Sequence, residues 1–308
     1  MKRFILHSKK TRSAIITFLV LIIFLAAGRP YGAESVWNSV FAFFGLGHFS
    51  SCADQYPAAV HILDVGKADS ILVECEGHQM LVDGGTSDSG EHIIQYLKQR
   101  GISRLEYVIN THPDEDHVGG LKYVLESFSV EMFLLPEIRP ELVPKDTAYI
   151  ETMNSLRRKG LSATVAKAGD VLTLGGMNIH VVGPLSPGNN TNNSSIVLLL
   201  RYGDIRFLLT GDAEKEEEQS LLASGANLTA DVLKVGHHGS STSTTLEFLN
   251  AVHPKFAAIS VGYDRNKLPK NDVLKRLYNA NVKTYRTDVN GTIIFLTDGK
   301  TIHVVTEK

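Results

Sequence analysis

The stretch "THPDEDHVGG", residues 111–120, combines two histidines with three acidic side chains directly after the apolar run "LEYVIN". The apolar run is typical of a β-strand. The cluster should therefore lie on the loop that leaves the strand, where side chains converge without helical spacing constraints. A solvated acidic turn would explain the carboxylates but not the histidines that bracket them. The cluster indicates a metal site with four potential ligands: His112, Asp114, Asp116 and His117.

Three further candidate sites also follow apolar strands. Asp83 ends "HQMLVD" and precedes two glycines, Asp212 ends "IRFLLTGD", and His237 with His238 end "DVLKVGHH". A neighbouring glycine frees the backbone for a tight exit from each strand. Each motif by itself is more typical of a turn or a surface loop than of a ligand. Only their joint occurrence points to one composite site.

The elements that must position these residues are short and regular. Helical spacing predicts helices in "EHIIQYLKQRG", from about His117, in "TAYIETMNSLRRKG", in "AEKEEEQSLLAS", after "SSTS" and in "NDVLKRLYNA". Two strand-rich halves with helices between them predict the layers helix, sheet, sheet and helix. Apolar runs bounded by Gly or Asp predict the following strands: "AVHILDV", "SILVEC", "HQMLVD", "LEYVIN", "DVLTL", "MNIHVV", "SIVLLLRYG", "IRFLLTGD", "DVLKV", "FAAISV", "VKTY", "GTIIFLT" and "TIHVV".

The composition is that of a globular protein, since 43% of the 308 residues are hydrophobic and 21% are charged. The formal net charge of -2 gives no overall reason to bind a polyanion. Binding of nucleic acid would depend on a local basic patch or on bound cations. Lys67, Arg265, Lys267 and Lys270 could form such a patch, but solvated surface charge explains them at least as well.

The N-terminus has its own pattern. Basic residues precede the uncharged run "SAIITFLVLIIFLAAG", which is the layout of an export signal or of a membrane anchor. Because the run is shorter than a comfortable span of ~20 residues, cleavage, retention as an anchor and a buried core helix all stay open. Residues 1–33 are assigned to this segment, 34–56 to a linker and 57–308 to one domain. In either export case the domain lies outside the cytoplasm, where Cys52 and Cys75 could form a disulfide.

The order of these motifs resembles that of the metallo-β-lactamase superfamily, and the motif sequences are similar to those of its ComEC-type competence branch. The matching text is "ILDVGKADSILV", "LVDGG", "THPDEDHVGG", "NNSSIVLLL", "LLTGD" and "LKVGHHGS". The resemblance runs from about Val60 to Val305. It implies an αββα sandwich, an α/β fold, with a dinuclear metal site on one edge and a hydrolase domain at 57–308.

Carried over residue by residue, the resemblance implies that His112 and Asp114 hold one ion. Asp116 and His117 would hold the other, together with His237 or His238, and Asp212 would bridge the two ions. Which of the two adjacent histidines is the ligand stays open. The implied catalytic residues are Asp116, Asp83, which would orient the ligands, and His237. The implied substrate contacts are Lys67, Asp69, Asn193, Ser194 and Ser240.

Two departures from the wider superfamily bear on the reaction. Most members have histidine at the position of Asp114, and a further histidine where this chain has "NNTNNSS" around Asn193 and Ser194. Oxygen in place of nitrogen makes a harder site, which favours manganese or magnesium, although geometry can still select zinc. The expected cofactors are two divalent ions, Mn²⁺ or Zn²⁺. A phosphoester, whose oxygens bridge two hard cations, fits better than a β-lactam.

Two departures from the ComEC-type branch concern activity. Its G-Q-G-D-S reads "GKADS" here, with Lys67 and Ala68, and its G-H-P reads Lys267-Leu268-Pro269. Lys67 can supply a phosphate contact. Leu268 cannot replace an imidazole in acid-base work, so slower, altered or absent catalysis are the expected alternatives.

The leading hypothesis is an exported, metal-dependent phosphodiesterase, specifically a nuclease acting on single-stranded DNA. One alternative is a cell-envelope phosphoesterase such as a choline-phosphate esterase. Another is a catalytically weak, metal-stabilised module that binds DNA or a wall polymer. The expected partners are single-stranded DNA or another phosphodiester, and the membrane if the N-terminal segment is not cleaved.

Overall fold

The computed structural model describes residues 56–263 and 265–308, and these residues form fifteen strands. In chain order the strands are β1 (Ala58–Ile62), β2 (Ile71–Cys75), β3 (His78–Val82), β4 (Arg104–Ile109), β5 (Ser129–Pro136), β6 (Ala163–Ala166), β7 (Val171–Leu174), β8 (Met177–Gly183), β9 (Val197–Tyr202), β10 (Ile205–Leu209), β11 (Val232–Lys234), β12 (Phe256–Ile259), β13 (Lys283–Arg286), β14 (Ile293–Thr297) and β15 (Ile302–Thr306).

The α-helices of the same residues separate these strands or follow them. They are α1 (Gly90–Gln99), α2 (Glu115–Val118), α3 (Leu121–Ser127), α4 (Thr147–Arg158), α5 (Lys215–Ala223), α6 (Leu246–Val252), α7 (Asn271–Asn279) and α8 (Thr287–Asn290).

The strands build two mixed sheets. The first has the order β15-β14-β1-β2-β3-β4-β5-β6, and the second has the order β13-β12-β11-β10-β9-β8-β7. In the first sheet β1 to β3 are antiparallel and β3 to β6 are parallel. In the second, β7 to β10 are antiparallel and β10 to β13 are parallel. The last two strands return to the first sheet, where β14 pairs with β1.

The core lies in three layers of apolar contact. One cluster fills the space between the sheets and includes Val60 and Phe295 from the first sheet with Leu198 and Phe207 from the second. A second cluster packs α1, α3 and α4 on the outer face of the first sheet, and a third packs α5, α6 and α7 on the second. β1 and β14 are buried at every position because both of their faces are covered. The predicted αββα sandwich is therefore confirmed.

Two strands and two helices differ from the sequence-based expectation, and one of these helices is the single-turn α8, for which no helix was predicted. β5 and β6 were not predicted: the first half of β5 is largely exposed, and three of the four residues of β6 are exposed. The helix expected from about His117 is divided into α2 and α3 at Gly119 and Gly120. The helix breaks here because these glycines contact the loop after β3.

The predictions for the export segment, the linker and Cys52 fall outside the described residues. Cys75 lies buried in β2, where burial raises the pKa of its thiol to about 11. Within the described part of the chain, no helix combines the length and the apolar character needed to span a bilayer.

Candidate metal centre

The parallel strands bring the predicted site residues to one edge of the sandwich. β3 and β4 are parallel neighbours, so Asp83 and the loop at 110–117 leave the first sheet side by side. β10 and β11 are parallel neighbours in the second sheet, so Asp212 and the two histidines that follow β11 also leave together. The carboxyl ends of neighbouring parallel strands meet at one sheet edge. The four segments therefore converge.

Two glycine pairs bring the loops after β3 and β4 into direct contact. The amide of Gly84 donates to the carbonyl of His117 at 2.7 Å, and the amide of Gly120 donates to the carbonyl of Gly85 at 3.2 Å. A Cβ on Gly120 would lie 2.1 Å from the carbonyl oxygen of Gly84, and a Cβ on Gly84 would lie 2.7 Å from Leu121. Only glycine fits this approach, which fixes the backbone that carries His117.

Four side chains form the centre of the site. Potential ligand atoms of Asp116, His117, Asp212 and His238 all lie within 4.8 Å of one another. His238 Nε2 is 3.4 Å from Asp116 Oδ2 and 3.5 Å from Asp212 Oδ2, while His117 Nε2 is 3.3 Å from Asp212 Oδ1. Asp116 is half-buried and the other three are buried. The spacing suits one cation held by two carboxylates and two imidazoles.

The hydrogen bonds of the histidines involve Nδ1 and leave each Nε2 without a hydrogen-bond partner. His117 Nδ1 donates to Asp83 Oδ2 at 2.8 Å, and His238 Nδ1 donates to the carbonyl of Ser260 at 2.9 Å, because both acceptors lack a proton. His112 Nδ1 lies 3.2 Å from the preceding threonine hydroxyl, which already donates to the same Asp83 carboxylate. All three Nε2 atoms are buried without a hydrogen-bond partner. Bare, buried imidazole nitrogens are what a divalent ion requires, so the residues fit a metal.

Asp83 holds this arrangement from behind. It has a left-handed backbone, with φ at 61°, and its Oδ1 accepts the backbone amide of Thr111 at 2.7 Å. Its Oδ2 accepts the hydroxyl of Thr111 at 2.7 Å as well as Nδ1 of His117. The position suits the orienting role predicted for Asp83, because one carboxylate fixes both the loop backbone and an imidazole.

His112 and Asp114 form a looser pair beside the central four. His112 Nε2 lies 3.7 Å from Asp114 Oδ2. The His112 ring is buried, whereas the side chain of Asp114 is 39% exposed. The described residues therefore hold one tight group of potential ligands, to which Asp212 belongs, and a more open pair beside it. The bridging role of Asp212 stays a prediction.

The electrostatics of the centre favour a bound cation. Burial would raise the pKa of Asp212, but His238 and His117 lower it well below its usual value, and Asp116 behaves in the same way. Burial would lower the pKa of His117, but Asp212 and Asp83 raise it well above its usual value. Burial lowers the pKa of His112. Ionised carboxylates thus face the imidazoles of the centre, an arrangement that a bound cation would complete.

The adjacent histidines occupy different surroundings. Both have a left-handed backbone, with φ at 48° for His237 and 52° for His238. His238 is buried among the central four. His237 is partly exposed, with Nδ1 3.2 Å from Glu214 Oε1 and Nε2 3.8 Å from Asp212 Oδ2. The geometry favours His238 as the ligand and places His237 at the rim, where the catalytic role predicted for it stays a prediction.

Asp69 is occupied within the fold, and its predicted contact with substrate stays a prediction. Its carboxylate is 1% exposed and forms an ion pair with buried Lys234, whose Nζ lies 2.9 Å from Asp69 Oδ2. Asp69 Oδ1 is 3.8 Å from His238 Nδ1. The pair lies behind the ligands and not in the opening of the site. Lys67, in contrast, forms an ion pair directly with Asp116 Oδ2.

Asn193 and Ser194 are likewise occupied within the fold. Asn193 Oδ1 accepts the amide of Glu214 at 3.0 Å, where α5 begins, and Ser194 Oγ donates to the carbonyl of Asn190 at 3.0 Å. Both residues are buried. Their polar atoms thus hold the loop and the start of the helix, and their predicted contact with substrate stays a prediction. Ser240 is partly exposed at the rim, where its hydroxyl lies 2.9 Å from that of Thr242.

Three residues that support the site were missed in the sequence. Thr111 contacts Asp83 and His112, Ser195 Oγ accepts the amide of Asp212 at 3.1 Å, and Lys234 neutralises Asp69. Thr111 and Ser195 are neighbours of predicted site residues in the sequence, and Lys234 lies in a predicted strand. Their sequence positions offer no other indication of a supporting role. Leu268, at the position of the expected histidine, packs against the outer core of the second sheet.

Comparison with known families gives a match to the metallo-beta-lactamase superfamily over residues 63–263. The chain is similar to ComE operon protein 3 of Bacillus subtilis, with 36% identity over 254 residues, 76% of this chain and 32% of that protein. It is also similar to Competence protein ComA of Neisseria gonorrhoeae, with 31% identity over 242 residues, 77% of this chain and 32% of that protein. The chain spans about a third of the length of these relatives.

Solved structures show the same fold. Tm1679, a metal-dependent hydrolase of the beta-lactamase superfamily, matches with a TM-score of 0.52 and 14% identity, covering 76% of this chain and 98% of that chain. CmlA, a diiron beta-hydroxylase from Streptomyces venezuelae, matches with a TM-score of 0.52 and 13% identity, covering 78% of this chain and 54% of that chain. At such identities the likeness supports the fold alone.

Proposed function

The chain belongs to the metallo-beta-lactamase superfamily, in its ComEC-type competence branch, and we propose that it is a metal-dependent phosphodiesterase that cleaves single-stranded DNA. The observation that carries the proposal is the carboxylate of Asp212 beside the buried imidazoles of His117 and His238, whose Nε2 atoms have no hydrogen-bond partner. Two divalent ions bound there would supply Lewis-acid activation of a phosphoryl group.

The residues divide the work by position. Asp116, His117 and His238 would hold one ion, His112 and Asp114 the other, and Asp212 would face both. The carboxylates supply hard oxygen ligands, and Asn193 offers no free imidazole or carboxylate in place of the superfamily's further histidine. Such a set favours Mn²⁺ and a phosphate substrate over Zn²⁺ and a lactam.

Two side chains at the edge of the site support a phosphodiester as substrate. His237 and Ser240 lie partly exposed there, and each can donate a hydrogen bond to a phosphate oxygen or to a leaving group. The net charge of -2 offers no general attraction for DNA. Bound ions would supply the positive charge that a phosphate backbone needs. The name of the competence relative from Neisseria gonorrhoeae favours DNA over other phosphodiesters.

The N-terminal basic and apolar pattern supports placement of the domain outside the cytoplasm, either released or anchored to the outer face of the membrane. There the chain would meet DNA or cell-envelope polymers.

A second candidate is a metal-stabilised module that binds DNA or polymer without cutting it. The observation that favours it is Leu268, which packs into the core where the branch carries a histidine. Removal of an imidazole can abolish proton transfer while the metal ligands stay intact.

The test uses purified full-length protein in detergent with Mn²⁺ or Zn²⁺, and with a chelator as control. The substrates are single-stranded DNA, duplex DNA, bis-p-nitrophenyl phosphate and p-nitrophenylphosphorylcholine. We expect metal-dependent cleavage of single-stranded DNA that His238→Gln abolishes. The exposed His180→Gln, on β8, should leave it unchanged. Cleavage of the choline ester alone would favour an envelope esterase, and DNA binding without any product would favour the module.

A further inference from the structure

We infer that Lys67 acts as a built-in cation of the metal centre and weakens the binding of the ion that Asp116 would hold. The inference rests on the metal centre proposed above and goes beyond it. It makes the two ion positions unequal, with occupancy of one of them set by a single lysine.

The contact is made at a ligand atom. Lys67 Nζ forms its ion pair with Asp116 Oδ2, and the same oxygen lies 3.4 Å from His238 Nε2. Asp116 belongs to the tight group of four potential ligands. The ammonium of Lys67 therefore lies at the carboxylate oxygen that a divalent ion between Asp116 and His238 would use.

The backbone of Lys67 is fixed beside this oxygen. The amide of Asp69 donates to the carbonyl of Asp116 at 3.1 Å, which ties the two loops together. A Cβ on Gly262 would lie 2.7 Å from Gly66 Cα and 2.9 Å from the backbone nitrogen of Lys67. Ala68, the next residue, is fully buried. Because the backbone of Lys67 is fixed, an ammonium displaced from Asp116 stays within one side-chain length of the ion.

The pair is sheltered enough for its charge to matter. The side chain of Lys67 is 27% exposed and that of Asp116 is 18% exposed. A divalent ion at Asp116 must either displace the ammonium or lie next to a like charge. Either alternative reduces affinity, because charges well within the Debye length of about 8 Å are only partly screened when they are partly buried. His112 and Asp114 lie outside the tight group, so their ion should be affected less.

The charge at position 67 distinguishes this chain from the ComEC-type pattern. The ComEC-type pattern has G-Q-G-D-S where this chain has "GKADS", so an uncharged residue takes the place of Lys67 in that pattern. Replacement of Lys67 by glutamine restores the uncharged pattern at this position and keeps a side chain of similar length.

The test measures metal binding by metal-stripped, full-length protein, with Mn²⁺ as the probe, by calorimetry and by mass spectrometry of bound metal. We expect Lys67→Gln to tighten one of the two binding steps by at least roughly tenfold and to change the other by less than about threefold. Lys67→Arg, which keeps the charge, should bind both ions as the wild type does. Lys275→Gln, exposed on α7, is the matched control.

Equal affinities in wild-type protein and Lys67→Gln, with two ions bound and the phosphodiester cleaved, would overturn the role of Lys67 and leave the proposed function standing. Weaker binding in Lys67→Gln would also overturn it. If neither protein binds Mn²⁺ while both unfold at the same temperature, the metal centre fails, and the role of Lys67 fails with it.

Discussion

Replacement of Asp212 by asparagine is the most direct test of a centre with two ions. The carboxylate is 2% exposed and lies between the imidazoles, with Oδ1 3.3 Å from His117 Nε2 and Oδ2 3.5 Å from His238 Nε2. Asparagine keeps the size of the side chain and one oxygen but removes the charge. Two dications would then lie close together with less negative charge between them.

The size of the effect follows from the charges. At an effective dielectric near 20, two unit charges about 4 Å apart interact by about 4 kcal/mol, and a dication doubles that figure. The amide oxygen recovers part of the loss. A remaining loss of about 3 kcal/mol corresponds to a roughly 100-fold weaker affinity for one ion. We expect the rate of phosphodiester cleavage to fall by at least ~10²-fold, because activation by that ion is lost.

The assay combines bound metal, measured by mass spectrometry, with hydrolysis of bis-p-nitrophenyl phosphate. Asp204→Asn, exposed after β9, is the matched control and should bind metal and turn over as the wild type does. Circular dichroism should show a folded variant, since Asp212 lies at a strand end outside the apolar layers. Two full equivalents of metal with near-normal turnover in Asp212→Asn would refute the bridging role.

Three further outcomes are expected. Because Asp114 adds a hard oxygen ligand, Mn²⁺ should reactivate metal-stripped protein better than Zn²⁺ at matched free concentrations, and a clear zinc preference in the cleavage assay would contradict this. Lys234→Met should lower the free energy of unfolding of the metal-free protein in urea by about 3 to 5 kcal/mol, because it leaves the Asp69 carboxylate buried and unpaired. The double variant with Asp69→Asn should recover much of that loss. No recovery in the double variant would contradict the pairing. Burial raises the pKa of Glu217 from 4.5 to about 7, so the stability that this shift contributes is present below pH 4.5 and is lost as the pH rises through 7. Glu217→Gln should therefore match the wild type near pH 4 and be more stable near pH 8 by about 1 to 3 kcal/mol, after allowance for solvent screening, whereas equal urea midpoints at both pH values would contradict a raised pKa.

The layers of the fold could be read from the sequence because most strands carry a local signal. Apolar runs bounded by glycine or aspartate located β1 to β4 and β7 to β15. β6 escaped because "ATVA" lies at the sheet edge and exposes three of its four residues, so no apolar pattern marks it. β5 escaped because its first half is mostly exposed and directly follows a helix.

Only some residues of the metal centre could be predicted from the sequence, for a different physical reason. Residue type and strand-end position identified the residues that converge, since carboxylates and imidazoles after strands are informative by themselves. The groups that hold them are a threonine hydroxyl, a backbone carbonyl at Ser260 and a lysine inside β11. Such groups acquire their role only from residues distant in the chain. Asn193 shows the converse: the resemblance implied a substrate contact, but its side chain also anchors the start of a helix, since its Oδ1 accepts the amide of Glu214 before α5.

The return of β14 to pair with β1 has a consequence for the order of folding. The register His61 to Ile294 joins opposite ends of the described chain, so the first sheet is complete only after nearly the whole domain has been synthesised. Contacts between such distant segments form slowly, because a long loop must close before they contribute any stability. During synthesis β1 therefore has an unpaired edge on the side that β14 will cover. Until β14 has been made, that edge can pair with a strand of another chain, so the interval before β14 emerges is when the domain is most open to aggregation.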